Sequence, residues 1–237
     1  MTWNLFHGRD DPPLTRVPLR DDFGAFLGGL EWDVALLQEA PPRWFRALCA
    51  RAGASGVLVR TSRNQLAPLR RALADRRPDL VKSQEGGSNQ VLVRSPWRIA
   101  AHRRLTLAWF PERRRMLWLR LERADGAVLC VGTLHASAHR PARAAREVER
   151  AARTALVWSA GAPLVLGGDF NVRPGDEPWL FERLSRGYGF SGPTAPRAID
   201  HLLARRLDVA EAPHALAREA GGRVLSDHAP LAARFVG

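Results

Sequence analysis

Pro163-Leu164-Val165-Leu166-Gly167-Gly168-Asp169-Phe170-Asn171 is the stretch on which the fold turns. Its apolar triplet, Leu164 to Leu166, carries no alternating polar residue, which marks a strand covered on both faces. Two glycines remove the side chains where the chain leaves the sheet. A carboxylate and an amide follow, two residues apart. If extended backbone continues past the strand, Asp169 and Asn171 face one cleft and Phe170 returns to the core. A plain turn reads the same residues as well, because Gly, Asp and Asn are favoured where a chain reverses.

The same pattern recurs along the chain. Thr2-Trp3-Asn4-Leu5 ends a strand on an amide, Val34-Ala35-Leu36-Leu37-Gln38-Glu39 ends one on an acid, and the run from Val128 ends on His135. Helices are predicted over 19–30, with Phe23, Phe26, Leu27 and Leu30 on one side, over 41–52 behind Pro41 and Pro42, and over 64–77 up to Pro78. A short strand is expected at 58–60. Between 80 and 135, apolar or alternating runs at 90–93, 97–101, 105–109, 116–121 and 128–135 predict a meander of strands, with turn signals at Ser95-Pro96 and Asp125-Gly126. Residues 140–159 show the longest helical period, with Val148, Ala151, Ala152, Ala155 and Leu156 towards the core. Arg140, Arg143, Arg146, Arg150 and Arg153 fall largely on one face. A helix over 177–185, a glycine-rich loop and strands over 198–204 and 230–236 complete the chain. With no internal repeat, low-complexity tract or linker, residues 1–237 are expected to form a single domain.

Hydrophobic residues make up 46% of the 237, enough for a sizeable core, and the formal net charge is +12. Lys82 is the sole lysine, so the positive charge is almost all arginine. Guanidinium groups bind phosphate bidentately, and neutralising phosphates releases counterions, which favours nucleic acid or another phosphate-bearing partner. G+C-rich coding explains the choice of arginine over lysine better than it explains the excess of base over acid. Two cysteines, Cys49 and Cys130, make neither a disulfide framework nor a metal cluster. Cys130 lies in an apolar run and reads as a small buried side chain. A reducing, cytoplasmic setting is expected, with no signal peptide, no membrane span and no evident obligate protein partner.

Asn4, Glu39, His135, the Asp169/Asn171 pair and Ser226-Asp227-His228 all stand where strands begin or end. Singly, each has an ordinary reading: a solvated acid, a hydrogen-bonded histidine, a capped turn. Together they share an address, because strand ends in an α/β protein converge on one rim where ligand sites form. Glu39 with Asn4 offers hard oxygen ligands for Mg²⁺ or Mn²⁺. His135, His228 and an arginine suit a charged phosphorus centre, and Asp169 suits the orientation and deprotonation of water. That chemistry is metal-assisted phosphoester hydrolysis. The sequence has no Gly-x-Ser-x-Gly elbow, His-Glu-x-x-His pair or Gly-x-x-x-x-Gly-Lys loop to support a competing one.

Trp3-Asn4-Leu5, Leu37-Gln38-Glu39, Thr133-Leu134-His135, Gly168-Asp169-Phe170-Asn171, Ile199-Asp200-His201 and Ser226-Asp227-His228 resemble, in order and over nearly the whole chain, the motifs of the endonuclease/exonuclease/phosphatase superfamily. The resemblance implies a DNase I-like four-layer α/β/β/α sandwich, with two mainly antiparallel sheets packed face to face and helices outside. It implies Glu39 as principal metal ligand, Asn4 in support and Asp227 near a second metal position. Asp169 would position the nucleophilic water beside Asn171, Asp200 would orient His228, and His228 and His135 would contact the scissile phosphate. A phosphate-binding arginine falls within Glu112 to Met116, where Arg114 aligns best and Arg113 and Arg115 are the alternatives. Asn89 resembles an active-site amide. The implied activity is a metal-dependent phosphodiesterase, directed to nucleic acid by the charge. The alternatives are a phosphodiesterase or phosphatase for a small or lipid-headgroup phosphoester, and a non-catalytic binding protein. Two features depart from the family: only three residues precede Asn4, so either the edge of that sheet is short or the true start lies upstream, and the sole tyrosine, Tyr188, is far from the tyrosine position of abasic-site and pancreatic-type nucleases.

Overall fold

Strands that are apolar at every position need a cover on both faces, and the computed structural model, which describes residues 1–13, 15, 17–62 and 86–237, supplies it with two stacked sheets. In chain order the elements are β1 (Thr2–Asn4), α1 (Arg20–Gly29), β2 (Val34–Ala40), α2 (Phe45–Ala52), β3 (Ser55–Arg60) and β4 (Ser88–Val93). There follow β5 (Arg98–Ala108), β6 (Arg114–Glu122), β7 (Val128–His135), α3 (Pro141–Ser159), β8 (Leu164–Asp169) and α4 (Pro178–Glu182). The chain ends with β9 (Asp200–Arg205), β10 (Asp208–Ala215), the short pair β11 (Glu219–Ala220) and β12 (Arg223–Val224), and β13 (Leu231–Val236).

One sheet runs β10-β13-β1-β2-β4-β3 and the other β5-β6-β7-β8-β9. Pairing is antiparallel except for β1 with β2 and β7 with β8. Alternation sorts the side chains. Leu36, Val91, Leu117, Leu119, Val131, Val165 and Leu202 meet between the sheets. Their neighbours one position away pack outward: Leu37 and Leu92 towards Phe23, Leu27 and Leu48 of α1 and α2, and Trp118, Leu166 and Leu203 towards Val148, Ala151 and Ala155 of α3. The result is the DNase I-like α/β/β/α sandwich. Among the described residues, no helix is long and apolar enough to cross a membrane.

Four details differ from the sequence reading, each for a physical reason. The runs at 97–101 and 105–109 are one strand, β5, interrupted in hydrophobicity because it is an edge strand whose residues 100–104 are exposed. β10 escapes the apolar pattern because it is exposed along almost its whole length. β1 lies inside its sheet between β13 and β2, not at an edge. The helix read over 177–185 is α4 followed by a wider π-type turn, Arg183–Gly187. The helix expected at 64–77 lies outside the described residues.

Candidate active site

Strand register brings the polar strand ends together. His135 stands level with Asp169 across the parallel pair β7–β8, and Asp169 with Asp200 across β8–β9. Asp169 Oδ2 is the point of convergence: Asn4 Nδ2 donates to it at 3.0 Å, His135 Nε2 lies 3.4 Å away and His228 Nε2 3.9 Å away. The other oxygen, Oδ1, accepts the backbone N–H of Asn171 at 3.0 Å. Asp200 Oδ2 holds His228 Nδ1 at 2.7 Å, and Asp227 Oδ1 is 3.9 Å from His228 Nε2. Across the cleft the Glu39 carboxylate lies between His7 Nε2 at 3.2 Å and His135 Nδ1 at 3.6 Å.

Unusual backbone builds this cleft. Phe6, His7, Glu39, Asn171 and Ser226 all have φ between 48° and 68°, a conformation that costs a non-glycine residue free energy and persists only where surrounding contacts enforce it. Glu39 sits in the register break between Leu37 and Ala40, where a bulge re-aims the strand end. Gly168 has φ 133°, and a Cβ there would stand 2.0 Å from Leu134 O, so only glycine lets β8 run beside β7 at this level. The loop carrying His228 is fastened to β1: Ser226 Oγ donates to Asn4 O at 2.6 Å and accepts the His228 N–H at 3.1 Å, while Trp3 Nε1 donates to His228 O at 2.8 Å.

Burial first, and then the neighbouring Asp200 charge, push the Asp169 carboxyl up to about 7 against the opposing effects of His228, Asn4 and Asn171. Burial alone would depress the His228 imidazole. The hydrogen bond and charge of Asp200, helped by Asp169 and Asp227, outweigh it and carry the group to about 9. His135 is held well below the ordinary histidine range by burial and by the Arg114, His228 and His7 charges. At neutral pH the cleft therefore holds a cationic His228 and a neutral His135. A neutral imidazole has one N–H, so His135 can donate to only one of the two carboxylates it faces.

These residues fit a hard divalent cation. Asp169 and Asp200 each present a carboxylate oxygen, within 4.8 Å of one another and of a His228 nitrogen that could ligate only after giving up its proton. Among the described residues, the buried Asp200 Oδ1 and Asn89 Oδ1 have no hydrogen-bond partner, and the unprotonated nitrogen of His135 is left facing carboxylate oxygen. Oxygen-rich, partly unsatisfied surroundings of this kind suit Mg²⁺ or Mn²⁺.

The structure brings Asn4, Glu39, His135, Asp169, Asp200, Asp227 and His228 together, though not always as read. Both ends of the Asn4 amide are engaged, Nδ2 on Asp169 and Oδ1 on the Phe6 N–H at 3.0 Å, so the amide orients Asp169. β8 stops at Asp169, and Asn171, at φ 51°, turns its Nδ2 to Ala136 O at 3.2 Å. The pair therefore does not share a strand face; Asn171 caps the carboxylate through its backbone, while Phe170 does return to the core. Of the three adjacent arginines, Arg113 donates to Thr61 O and Ser62 O and Arg115 to Arg60 O. Arg114 is the buried one, ion-paired to Glu112 at 2.9 Å, and its charge bears on both His135 and His7. Asn89 is buried with Nδ2 on Arg115 O at 2.7 Å. Tyr188 donates to Glu149 of α3 and packs on the helix side of its sheet. His7 and Arg9 were not legible in advance. The left-handed turn at Phe6 and His7 delivers them, Arg9 stacking 3.7 Å above the Phe6 ring within the field of Glu39 and Asp227.

His201, next to Asp200, belongs to the support and not to the cleft. It lies between the Phe170 and Phe181 rings at 5.1 and 5.0 Å, its Nδ1 accepts the Thr194 N–H at 3.3 Å, and its Nε2 donates to Val172 O at 3.3 Å. Burial lowers it from 6.5 to about 4. An unfolded chain takes up this proton first, so the stability His201 lends is complete above pH 6.5 and is lost as pH falls through 4. Imidazole ¹⁵N shifts are expected to show a midpoint near 4 for His201 in the folded protein; a midpoint near 6.5 would contradict its burial as a neutral ring.

The profile of the Endonuclease/Exonuclease/phosphatase family matches residues 1–228. A search of curated protein sequences finds no match. Among solved structures, the endonuclease/exonuclease/phosphatase from Bacteroides vulgatus superposes with a TM-score of 0.74 at 17% identity, covering 99% of this chain and 96% of that one. The mannosyl-6-phosphatase of Bacteroides thetaiotaomicron gives 0.68 at 15%, covering 100% and 98%. TDP2 from D. rerio, complexed with single strand DNA product, gives 0.65 at 17%, covering 100% and 97%. At these identities the likeness speaks for the fold.

Proposed function

Because the chain belongs to the endonuclease/exonuclease/phosphatase family, a superfamily of phosphoesterases, we propose that it is a divalent-metal-dependent phosphodiesterase, one domain over residues 1–237, that cleaves nucleic acid by attack of water on phosphorus. The observation that carries this reading is the convergence of Asn4, His135 and His228 on one oxygen of a buried carboxylate, Asp169. A carboxyl near 7 is matched to proton transfer at neutral pH.

Glu39 would hold the cation, with Asp227 near a second position. The bound Mg²⁺ or Mn²⁺ supplies Lewis-acid withdrawal of charge from phosphate oxygens. Asp169, held by Asn4 and Asn171, takes the proton of the attacking water, and the ester oxygen departs from phosphorus and takes up a proton from solvent to leave as the alcohol. His228, kept cationic and oriented by Asp200, donates towards a phosphate oxygen; His135 donates as a neutral imidazole, and Arg114 adds fixed positive charge. The net charge of +12 favours a polyanion. A fold neighbour solved with single strand DNA product supports that choice, while a mannosyl-6-phosphatase on the same fold supports a small phosphoester.

Turnover of single-stranded DNA, duplex DNA, RNA and a hexose 6-phosphate, each with Mg²⁺ or Mn²⁺, separates the two. Nucleic-acid cleavage that weakens steeply as salt rises is the expected result. Preferential turnover of the sugar phosphate would replace this reading with the second.

A further inference from the structure

Positive charge leaves the cleft along the edge of the second sheet. β5 is the outermost strand there, and His102, Arg103 and Arg104 on it are exposed. Antiparallel pairing sets Arg104 opposite Leu117, Thr106 opposite Arg115 and Ala108 opposite Arg114, so the strand climbs to the rim of the cleft. Among the described residues, the charges that bear on Arg115 are both arginines, Arg113 and Arg104, and its buried Nε has no hydrogen-bond partner. Like charges gathered in this way, with the Arg115 Nη1 at the surface on a long 3.4 Å contact to Arg60 O, favour an anion that is not part of the chain.

At the top of this edge stands Trp109, 67% exposed. Its loop is fastened on both sides: Arg143 of α3 donates to Phe110 O, and Arg113 donates to Ser62 O at 2.8 Å. The hydrophobic effect favours burying a ring of this size, so a fastened loop that holds it in water implies a planar partner. Arg104 lies five residues below Trp109, about 17 Å at the rise of a strand. Guanidinium groups along a ridge that ends in an open aromatic face match the two requirements of an unpaired strand, charge for its phosphates and a surface for a base.

We propose that Arg104, Arg115 and Trp109 form a track for single-stranded nucleic acid leading into the cleft, the arginines on phosphates and the indole against one base. A base in a duplex is already stacked and paired, which is why the strand must be single. The proposal rests on the nucleic-acid reading above and adds the path by which that substrate arrives.

The test is fluorescence anisotropy of a labelled single-stranded oligonucleotide with the full chain and with Arg104→Gln and Trp109→Ala, in EDTA so that nothing is cleaved. Turnover of a chromogenic phosphodiester with metal is measured in parallel. Both side chains are exposed, so the fold does not depend on them. Trp109→Ala is expected to weaken binding about tenfold, and Arg104→Gln to make the salt dependence shallower by about 0.7 in the log–log slope, both with chromogenic turnover unchanged. Equal oligonucleotide binding by all three proteins would overturn the track and leave the nucleic-acid reading standing. Chromogenic turnover with no oligonucleotide binding would overturn both. Binding to anionic phospholipid vesicles in place of oligonucleotide, lost in Trp109→Ala, would assign the ring to a membrane surface and overturn the track.

Discussion

Asp169→Asn is expected to lower kcat by roughly 10²- to 10⁴-fold, the range for loss of a positioned general base, in a protein that remains folded. Asparagine keeps the shape of the side chain, and its carbonyl can still accept the Asn171 N–H that Oδ1 accepts at 3.0 Å. What it cannot do is take a proton from water. The side chain is buried and lies beside Asp200, so removing its charge removes a repulsion, while the new amide N–H meets the Asn4 donor that Oδ2 accepts at 3.0 Å; a modest loss of stability without unfolding is expected. The wild-type rate should rise as Asp169 ionises, on a limb at or below pH 7 because a bound cation draws the carboxyl down from its metal-free position near 7. The variant should lack that limb. Steady-state kinetics across pH, with circular dichroism as the folding control, measure both; an unchanged kcat would remove Asp169 from the reaction.

Glu39→Gln is expected to cost about 10³-fold in activity, the equivalent of the several kcal/mol that a Lewis-acid cation supplies, together with a large loss of Mg²⁺ or Mn²⁺ affinity. Glutamine fits the same volume between His7 and His135 but brings one neutral oxygen where the acid brings a charged pair. Titration calorimetry with each cation reads the effect directly, and partial recovery at high metal concentration is expected. The outcome also distinguishes two donor sets. If Glu39→Gln binds metal like the parent while Asp200→Asn does not, the cation belongs to the Asp169, Asp200 and His228 group, whose ligand atoms lie within 4.8 Å.

The parts of the fold that were legible in the sequence are those where one physical demand dominates. Leu164 to Leu166 and Ala35 to Leu37 are buried on both faces, so their uninterrupted apolar runs announce the two stacked sheets. The motifs at Asn4, Glu39, His135, Asp169 and His228 announce a shared rim because parallel pairing of β1 with β2 and of β7 with β8 aligns strand ends. Where demands compete, the sequence is quiet. β10 is exposed and has no apolar period to read. His7 enters the cleft only through a left-handed turn that no residue type nearby requires, and Asn171 leaves the strand face for the same kind of backbone reason. Arg114, Arg113 and Arg115 are chemically identical in sequence, and only their partners in the folded chain separate them.

The central claim, that the cleft around Asp169 is a metal-dependent phosphoesterase centre, is tested most directly by turnover of a chromogenic phosphodiester with Mn²⁺ or Mg²⁺, after EDTA, and after metal is restored. Turnover that disappears with EDTA, returns with metal and is absent from Asp169→Asn is the predicted result. Turnover indifferent to EDTA, or persisting in the folded Asp169→Asn protein, would contradict it.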